Sequence, residues 1–339
     1  MRRRLVFLLL VLLGLLVLLF LGHLGFGPVS IPLADVIDAL FGNRSATITR
    51  AIVLDVRLPE ALTALVAGMG LAACGLIMQT LFRNPLAGPS VLGLSSGSSL
   101  GVAICLLVQP AWVAQWFPVE LSMVVGAFAG SMSVLLLILL ADGRLGDGVA
   151  LLIVGLMLGH LCGAAVDVLQ AAAGANALKG FVLWGMGSFG GVVLDRSPWL
   201  IIPVLAALLV AHVLVKPLNA LLLGDQYAHS LGVPVSRVRQ WAIWTTGVLV
   251  ATITAFCGPI AFLGLATPHV ARGLCRTSDH RILMPVTVLC GAVLALFCGL
   301  VVKLPLAGGA IPLNAVTSLL GAPVVAWVLL SGKRWARSS

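Results

Sequence analysis

Charge is what this sequence has least of. Only 9% of its 339 residues are Asp, Glu, Lys or Arg, while 60% are apolar; an ordinary soluble domain carries roughly 25% charged residues. A water-soluble core of this length with so little polar surface would expose large apolar patches, which excludes a cytoplasmic enzyme. A chain whose solvent is lipid needs few charges and satisfies its backbone inside helices. The composition is therefore that of an all-α polytopic membrane protein. At about 20 residues per crossing, the length allows about ten spans, short loops and no sizeable extramembrane domain. Paired cysteine is also missing. The seven Cys residues (Cys74, Cys105, Cys162, Cys257, Cys275, Cys290 and Cys298) stand singly, mostly inside apolar runs, with no CxxC and no His at metal-ligand spacing. They read as small apolar packing residues, with no metal site and no catalytic group among them. No GxxxxGK[ST] phosphate loop occurs either, so any ATP must be hydrolysed by another chain.

What is present is a series of apolar runs bounded by Pro, Gly or charge. The runs are Leu5 to Leu24, Glu60 to Phe82, Ser90 to Val108, Val119 to Ala141 and Gly148 to Ala172 in the first half. Pro198 to Val215, Val238 to Phe256, Gly258 to Leu274, Leu283 to Val302 and Leu313 to Leu330 follow in the second. Asn176 to Phe189 is too short to span and is expected at the surface or dipping in. The first run, with Arg2 to Arg4 before it and Gly25 and Gly27 behind it, also has the outline of a signal peptide. Its length and the nine spans behind it favour an uncleaved first helix.

The net charge of +9 fits nucleic acid, anionic lipid or topology until the loops are placed. With the N-terminus inside and loops alternating, 14 of the 20 basic residues fall on the cytoplasmic side. They include Arg2 to Arg4, Arg83, Arg144, Lys216, Arg237, Arg239, Arg272 and Arg276. Arg44, Arg50, Arg57, Lys179, Arg196 and Lys303 fall outside, where six acids cancel them. The excess is thus a positive-inside signal, with both termini cytoplasmic and a neutral outer face; no nucleic acid is implied.

Small residues four apart mark helix contacts: Gly126 and Gly130; Gly155, Gly159 and Gly163; and, more loosely, Gly291, Ala295 and Gly299. Such steps let helix backbones approach where lipid supplies no hydrophobic drive. Asp167 is the one acid deep in a span, four residues past Gly163, with His160 seven residues earlier on nearly the same side. Facing lipid, a bare carboxylate costs at least ~2.5 kcal/mol, so Asp167 either lines a pathway or is a hydrogen-bonded structural acid. The loop FRNPLAGPSVLGLSSGSSLG, from Phe82 to Gly101, is a stiff cytoplasmic hinge with Ser90 as candidate N-cap. The longest cytoplasmic loop, 216–239, mixes Leu218, Leu221 and Leu222 with Gly224 and Asp225. It is expected to form one or two short amphipathic helices, which lie on the membrane or dock a protein.

Several stretches together resemble a known family. RLPEALTALVAGMGLAACGLIMQTLFRNPLAGPSVLGLSSGSSLG, WGMGSFGG, LNALLLGDQYAHSLGVPVSRVR, GPIAFLGLATPHVARG, DHRILMP and LLGAPVVAWVLL are similar, in order and spacing, to FecCD-type permease subunits. These serve binding-protein-dependent ABC importers for iron chelates, haem and vitamin B12. The resemblance spans Arg57 to Leu330. It implies one transmembrane permease domain over residues 1–339 of the type II ABC importer kind, multi-pass in the bacterial inner membrane. It also implies a second permease copy or paralogue, two ATP-binding cassette ATPase subunits that hold ATP and Mg, and a periplasmic substrate-binding protein. No cofactor is implied for this chain itself.

Carried over by position, Leu222, Leu223, Gly224, Asp225, Ala228 and Leu231 fall on the family's ATPase-coupling helices. Asn84, Leu86, Asp147 and Gly148 fall at its cytoplasmic gate, and His160, Asp167, Trp184 and Met186 along its translocation path. Arg57, Glu60 and Lys303 fall on the periplasmic rim that meets the binding protein. Three departures bear on that rim: the family commonly has RLPR where this chain has Glu60, an Asp where it has Gly299, and an acid where it has Ala310. The expected function is import of an iron-siderophore, with haem and cobalamin as other cargoes. The alternative from another class is an ion-gradient-driven transporter working through Asp167. A membrane hydrolase would need a base at the depth of Ser95 to Ser99, and no suitably placed His is present.

Overall fold

The structure, a computed structural model, describes residues 2–29, 31–42, 47–108, 118–145, 148–304 and 311–335. Its helices are α1 (Arg2–Gly25), α2 (Leu33–Phe41), α3 (Thr47–Ala51), α4 (Leu58–Leu81), α5 (Leu94–Leu107), α6 (Val119–Leu145), α7 (Gly148–Ala171), α8 (Ala175–Gly185), α9 (Ser197–Val213), α10 (Val215–Leu222), α11 (Asp225–Ser230), α12 (Val235–Cys257), α13 (Leu263–Cys275), α14 (His280–Val302) and α15 (Leu313–Trp335). Among the described residues there is no strand. Each of the ten apolar runs contains a helix. Among the described residues, seven helical stretches are long and apolar enough to cross a membrane, and α5 and Leu313–Val328 are shorter apolar helices.

The boundaries that differ do so for local reasons. The second span begins well before Glu60: α3 runs through a π turn, Ile52–Arg57, into α4, making one helical stretch Ile48–Leu81. Pro59 has no N–H, and its ring crowds the carbonyl four residues back. The π turn, in which the Leu58 N–H reaches Val53 O, widens the helix just ahead of it. Ser90 is not the cap of the third span. It lies in a 3₁₀ turn, Pro89–Leu92, and Gly93, at φ +72°, starts α5. The eighth run is helical only from Leu263. Before it, Gly258 takes φ +72°, and the Ala261 N–H donates to Asn314 Oδ1 at 3.0 Å. The loop 216–239 does form two short helices, α10 and α11.

The chain divides into two compact units. One comprises Met1–Leu76, Phe189–Ile201 and Ile260–Ser339, the other Ile77–Ser188 and Ile202–Pro259. In the first, small residues set the crossings: a Cβ on Gly68 would fall on Gly291 O and Ala295 Cβ, and one on Gly75 on Gly264 O. A core of Leu24, Ile31, Val36, Ala39, Val53 and Ala61 is closed by α2, an amphipathic helix that the apolar runs do not include. In the second unit, Gly126 and Gly130 of α6 lie against the backbone of Gly101 and Gly97 of α5. The GxxxG step thus meets a matching step on its neighbour. Val102, Ala103, Ala127, Val166, Phe181 and Ala255 form the core beside that crossing.

Candidate functional site

The second unit gathers the residues assigned to coupling and gating. Leu218 and Leu221 bury one face of α10, and Ala228 anchors α11. Between them Gly224 adopts φ +108°, a conformation that favours glycine and turns the chain sharply. The other face is left outside. Leu223, Tyr227 and Leu231, at four-residue intervals, are 65%, 51% and 58% exposed, and Leu222 flanks them. Of these only Tyr227 lies within α11; Leu223 closes α10 ahead of the Gly224 turn and Leu231 caps α11, so the exposed apolar side chains flank the turn and the short helix that follows it.

Ion pairs tie this element to its surroundings. The Arg83 Nη2 is 2.6 Å from Asp225 Oδ1, and Arg239 Nη2 is 3.0 Å from Asp225 Oδ2. Arg239 also sends Nη1 to Asp142 Oδ1 at 3.3 Å, and this last pair is buried. Asp142, Asp225, Gln226, His229, Ser236 and Arg239 line a recess of about 470 Å³. The sequence points to Asp225, whereas its ion-pair partners Arg83 and Arg239, the further acid Asp142 and the exposed Tyr227 emerge from the structure. Their signals in the sequence were an Arg 14 residues beyond Asp225 and a lone acid at the end of an apolar span.

Arg83 opens the turn that holds Asn84 and Leu86, two of the residues assigned to the gate. The Asn84 side chain accepts the Leu86 N–H at 2.9 Å, and the Asn84 N–H donates to Gln79 O at 3.1 Å. Gly148 comes to the same place: a Cβ built on it lies 3.7 Å from the Phe82 ring. Asp147 lies outside the described residues.

On α7, Leu151, Gly155, Cys162 and Val166 are buried, while Met157, His160, Leu161 and Asp167 are exposed. Asp167 therefore does not share a face with Gly155, as the four-residue spacing suggests. Each step of four advances 40° around a helix of 3.6 residues per turn, so three steps carry the face round by about 120°. Gly155 packs on the 3₁₀ turn at Val91 and Leu92, whereas nothing lies within 4 Å of a Cβ on Gly163. His160 and Asp167 do share the exposed side, about 10 Å apart along the axis. On α8, Trp184 packs against the buried Phe181, with ring centroids 6.1 Å apart. Met186, just past the helix, is exposed. Ser188 N–H donates to Cys257 O at 2.8 Å, pinning this segment to the end of α12.

The rim residues, all in the first unit, turn inward. Arg57 is 4% exposed and donates to the carbonyls of Leu24 (2.8 Å), Gly25 (2.7 Å) and Val29. It caps the C-terminus of α1, where carbonyls lack partners and the helix dipole favours a cation. Lys303 Nζ is 2.8 Å from Glu60 Oε2 and donates to His23 O at 3.3 Å. Burial holds Lys303 below the usual lysine range, and the pairing with Glu60 opposes that fall. Both bases are thus engaged within the fold, Arg57 by backbone carbonyls and Lys303 by Glu60. Gly299 has its own reason: a Cβ there would come within 2.8 Å of the His23 ring, whose Nε2 meets Leu296 O at 2.9 Å. Among the described residues, no three His, Cys, Asp or Glu side chains are grouped to hold a metal.

Comparison with known proteins bears on this arrangement. The profile of the FecCD transport family matches residues 15–331. The vitamin B12 import system permease proteins BtuC of Salmonella paratyphi A and Salmonella typhi are each 36% identical over 282 residues. These cover 83% of this chain and 84% of each relative. A solved metal-chelate type ABC transporter in an inward-facing conformation superposes with a TM-score of 0.82 at 30% identity, covering 95% of this chain and 98% of that one. PsaBC from Streptococcus pneumoniae, in complex with Fab, has a TM-score of 0.52 at 16% identity over 86% of this chain and 94% of that one, a likeness of fold.

Proposed function

The chain belongs to the FecCD transport family and is an inner-membrane permease of the metal-chelate and vitamin B12 ABC importer kind. From that premise we propose that it moves an intact iron-siderophore from a periplasmic binding protein to the cytoplasm, paired with a second permease and driven by two ATPase subunits. Haem and cobalamin share the chemistry of a bulky chelated metal; the names of the BtuC relatives put cobalamin beside the siderophore as a probe.

The observation that carries the reading is the exposed row Leu223, Tyr227 and Leu231, a ready-made surface for the ATPase. The partner's ATP cycle rocks the permease pair between outward- and inward-facing states. Asn84, Leu86 and Gly148 close the cytoplasmic end, Asp147 belongs to the same gate, and His160, Asp167 and Met186 line the way through. Trp184 shapes that path from its packed position. At the rim, Glu60 and Lys303 meet the binding protein as a neutral pair, and Arg57 holds the helix end beneath them.

The test is co-expression with an ATPase subunit and a binding protein, followed by reconstitution. ATP-dependent uptake of a radiolabelled ferric siderophore or cyanocobalamin is expected. Leu223→Asp and Tyr227→Ala are expected to lose the ATPase on purification while the permease stays folded. Uptake by the purified chain alone, driven by a proton gradient, would overturn the reading in favour of a secondary transporter.

A further inference from the structure

Asp225 is the meeting point of three elements. One carboxylate oxygen takes Arg83, which opens the gate turn, and the other takes Arg239 on α12. Arg239 reaches on to Asp142 on α6. The four groups alternate in sign and sum to zero, so each is held in place by its neighbours.

The chain of pairs is graded in burial. Arg83 and Asp225 side chains are 51% and 41% exposed, whereas Arg239 and Asp142 are 8% and 3% exposed. In water the outer pair is cheap to make and break; the inner pair is not, because separation strands a buried charge. The inner pair is therefore a fixed post and the outer pair a movable link. On the movable side, α11 is six residues long and hinges at Gly224, with Ala228 as its buried anchor. A partner gripping Tyr227 on α11 and the exposed Leu223 and Leu231 at either side of it displaces Asp225. Arg83 follows it, and Arg83 is covalently next to Asn84, whose side chain braces Leu86.

We propose that Asp225, with Arg83 as its mobile partner and Arg239 as its fixed one, transmits ATPase movement to the gate turn at Asn84–Leu86. These are positioning residues, and the inference rests on the ATPase reading of α11 given above. It adds a route: docking force reaches the gate through a salt link, not only through rigid helix motion.

The experiment uses the complete complex with its ATPase and binding protein in nanodiscs. Leu86→Cys reports the gate by its rate of maleimide labelling with and without ATP, the parent complex supplying the background from native thiols. Asp225→Asn and Arg83→Gln are each expected to cut the ATP-dependent change in labelling, per ATP hydrolysed, by at least about fivefold, the low end of coupling between two sites. The double variant is expected to be no worse than either single one, because both break the same link. Asp225→Glu is expected to restore the response. Full responses in the single variants, multiplying losses in the double, or loss of the ATPase itself from Asp225→Asn would each overturn the relay. If the unmodified complex neither holds an ATPase nor responds to ATP, the reading of the function falls with it; if it responds and the variants respond equally, the relay alone falls.

Discussion

Glu60 and Lys303 meet at 2.8 Å with both side chains largely withdrawn from solvent, at the place where the family resemblance leads one to expect a second base. The acid has not stripped the rim of a charge so much as neutralised one. Glu60→Gln leaves a buried ammonium facing Arg57 with no anion. A loss of about 3 kcal/mol is expected, the lower end for breaking a buried pair, seen as a lower apparent melting temperature in detergent. The loss depends on pH in a defined direction. Lys303 already sits below its ordinary value of 10.5 through burial, with Glu60 holding it up, so the variant lets it fall further. The pair's contribution is greatest at pH values where Lys303 stays protonated in both proteins, and it disappears as Lys303 deprotonates on the way to that value. A deficit that stays constant up to pH 10.5 would contradict this account.

Docking of the binding protein should be weakly salt-dependent. Free surface charges steer association in a way that ionic strength screens, but Arg57 is enclosed and Lys303 is paired. Affinity is expected to change by less than about threefold between low salt and ~0.5 M. A steep fall, measured by binding to the permease in nanodiscs, would mean that other charges do the docking.

The small-residue steps separate packing glycines from open ones. A Cβ on Gly130 would land on Gly97 O, while one on Gly163 meets nothing within 4 Å. Gly130→Ala is expected to cost about 1–3 kcal/mol as overpacking of the α5–α6 crossing and to broaden the size-exclusion profile. Gly163→Ala is expected to leave both stability and profile as they were.

That contrast also shows what was readable in the sequence. Apolar runs fixed the ten helical regions because lipid leaves the backbone no other partner, and Gly126 with Gly130 pointed correctly to a crossing. The same logic misplaced Gly163 and Asp167, because a repeat of four drifts around a helix of 3.6. The span beginning at Ile48 was hidden by Asp55, Arg57 and Pro59, which interrupt hydropathy without interrupting the helix. Loop 216–239 was recognisable from Gly224, Asp225 and the flanking leucines. Its ion pairs with Arg83 and Asp142 were not, since contacts across 142 and 97 residues of sequence leave no periodic trace.

Asp167 puts the two classes of mechanism in direct opposition. It is exposed on α7 beside the open position at Gly163, and facing lipid it would cost at least ~2.5 kcal/mol. In the proposed permease pair, water along a central path would remove that cost. Asp167→Leu would then stabilise the chain only if the residue faced lipid; no rise in melting temperature in nanodiscs is expected. Asp167→Asn removes the proton-carrying group and keeps the size and hydrogen-bonding capacity. Under ATP drive, uptake of a ferric siderophore or cyanocobalamin is expected to persist within about tenfold, a change of ~1.4 kcal/mol, because no proton has to cross with the cargo. A proton-coupled carrier would lose uptake entirely with the same substitution and would need no ATPase to show it in the parent chain. Measuring parent and Asp167→Asn with and without the ATPase subunits separates the two mechanisms.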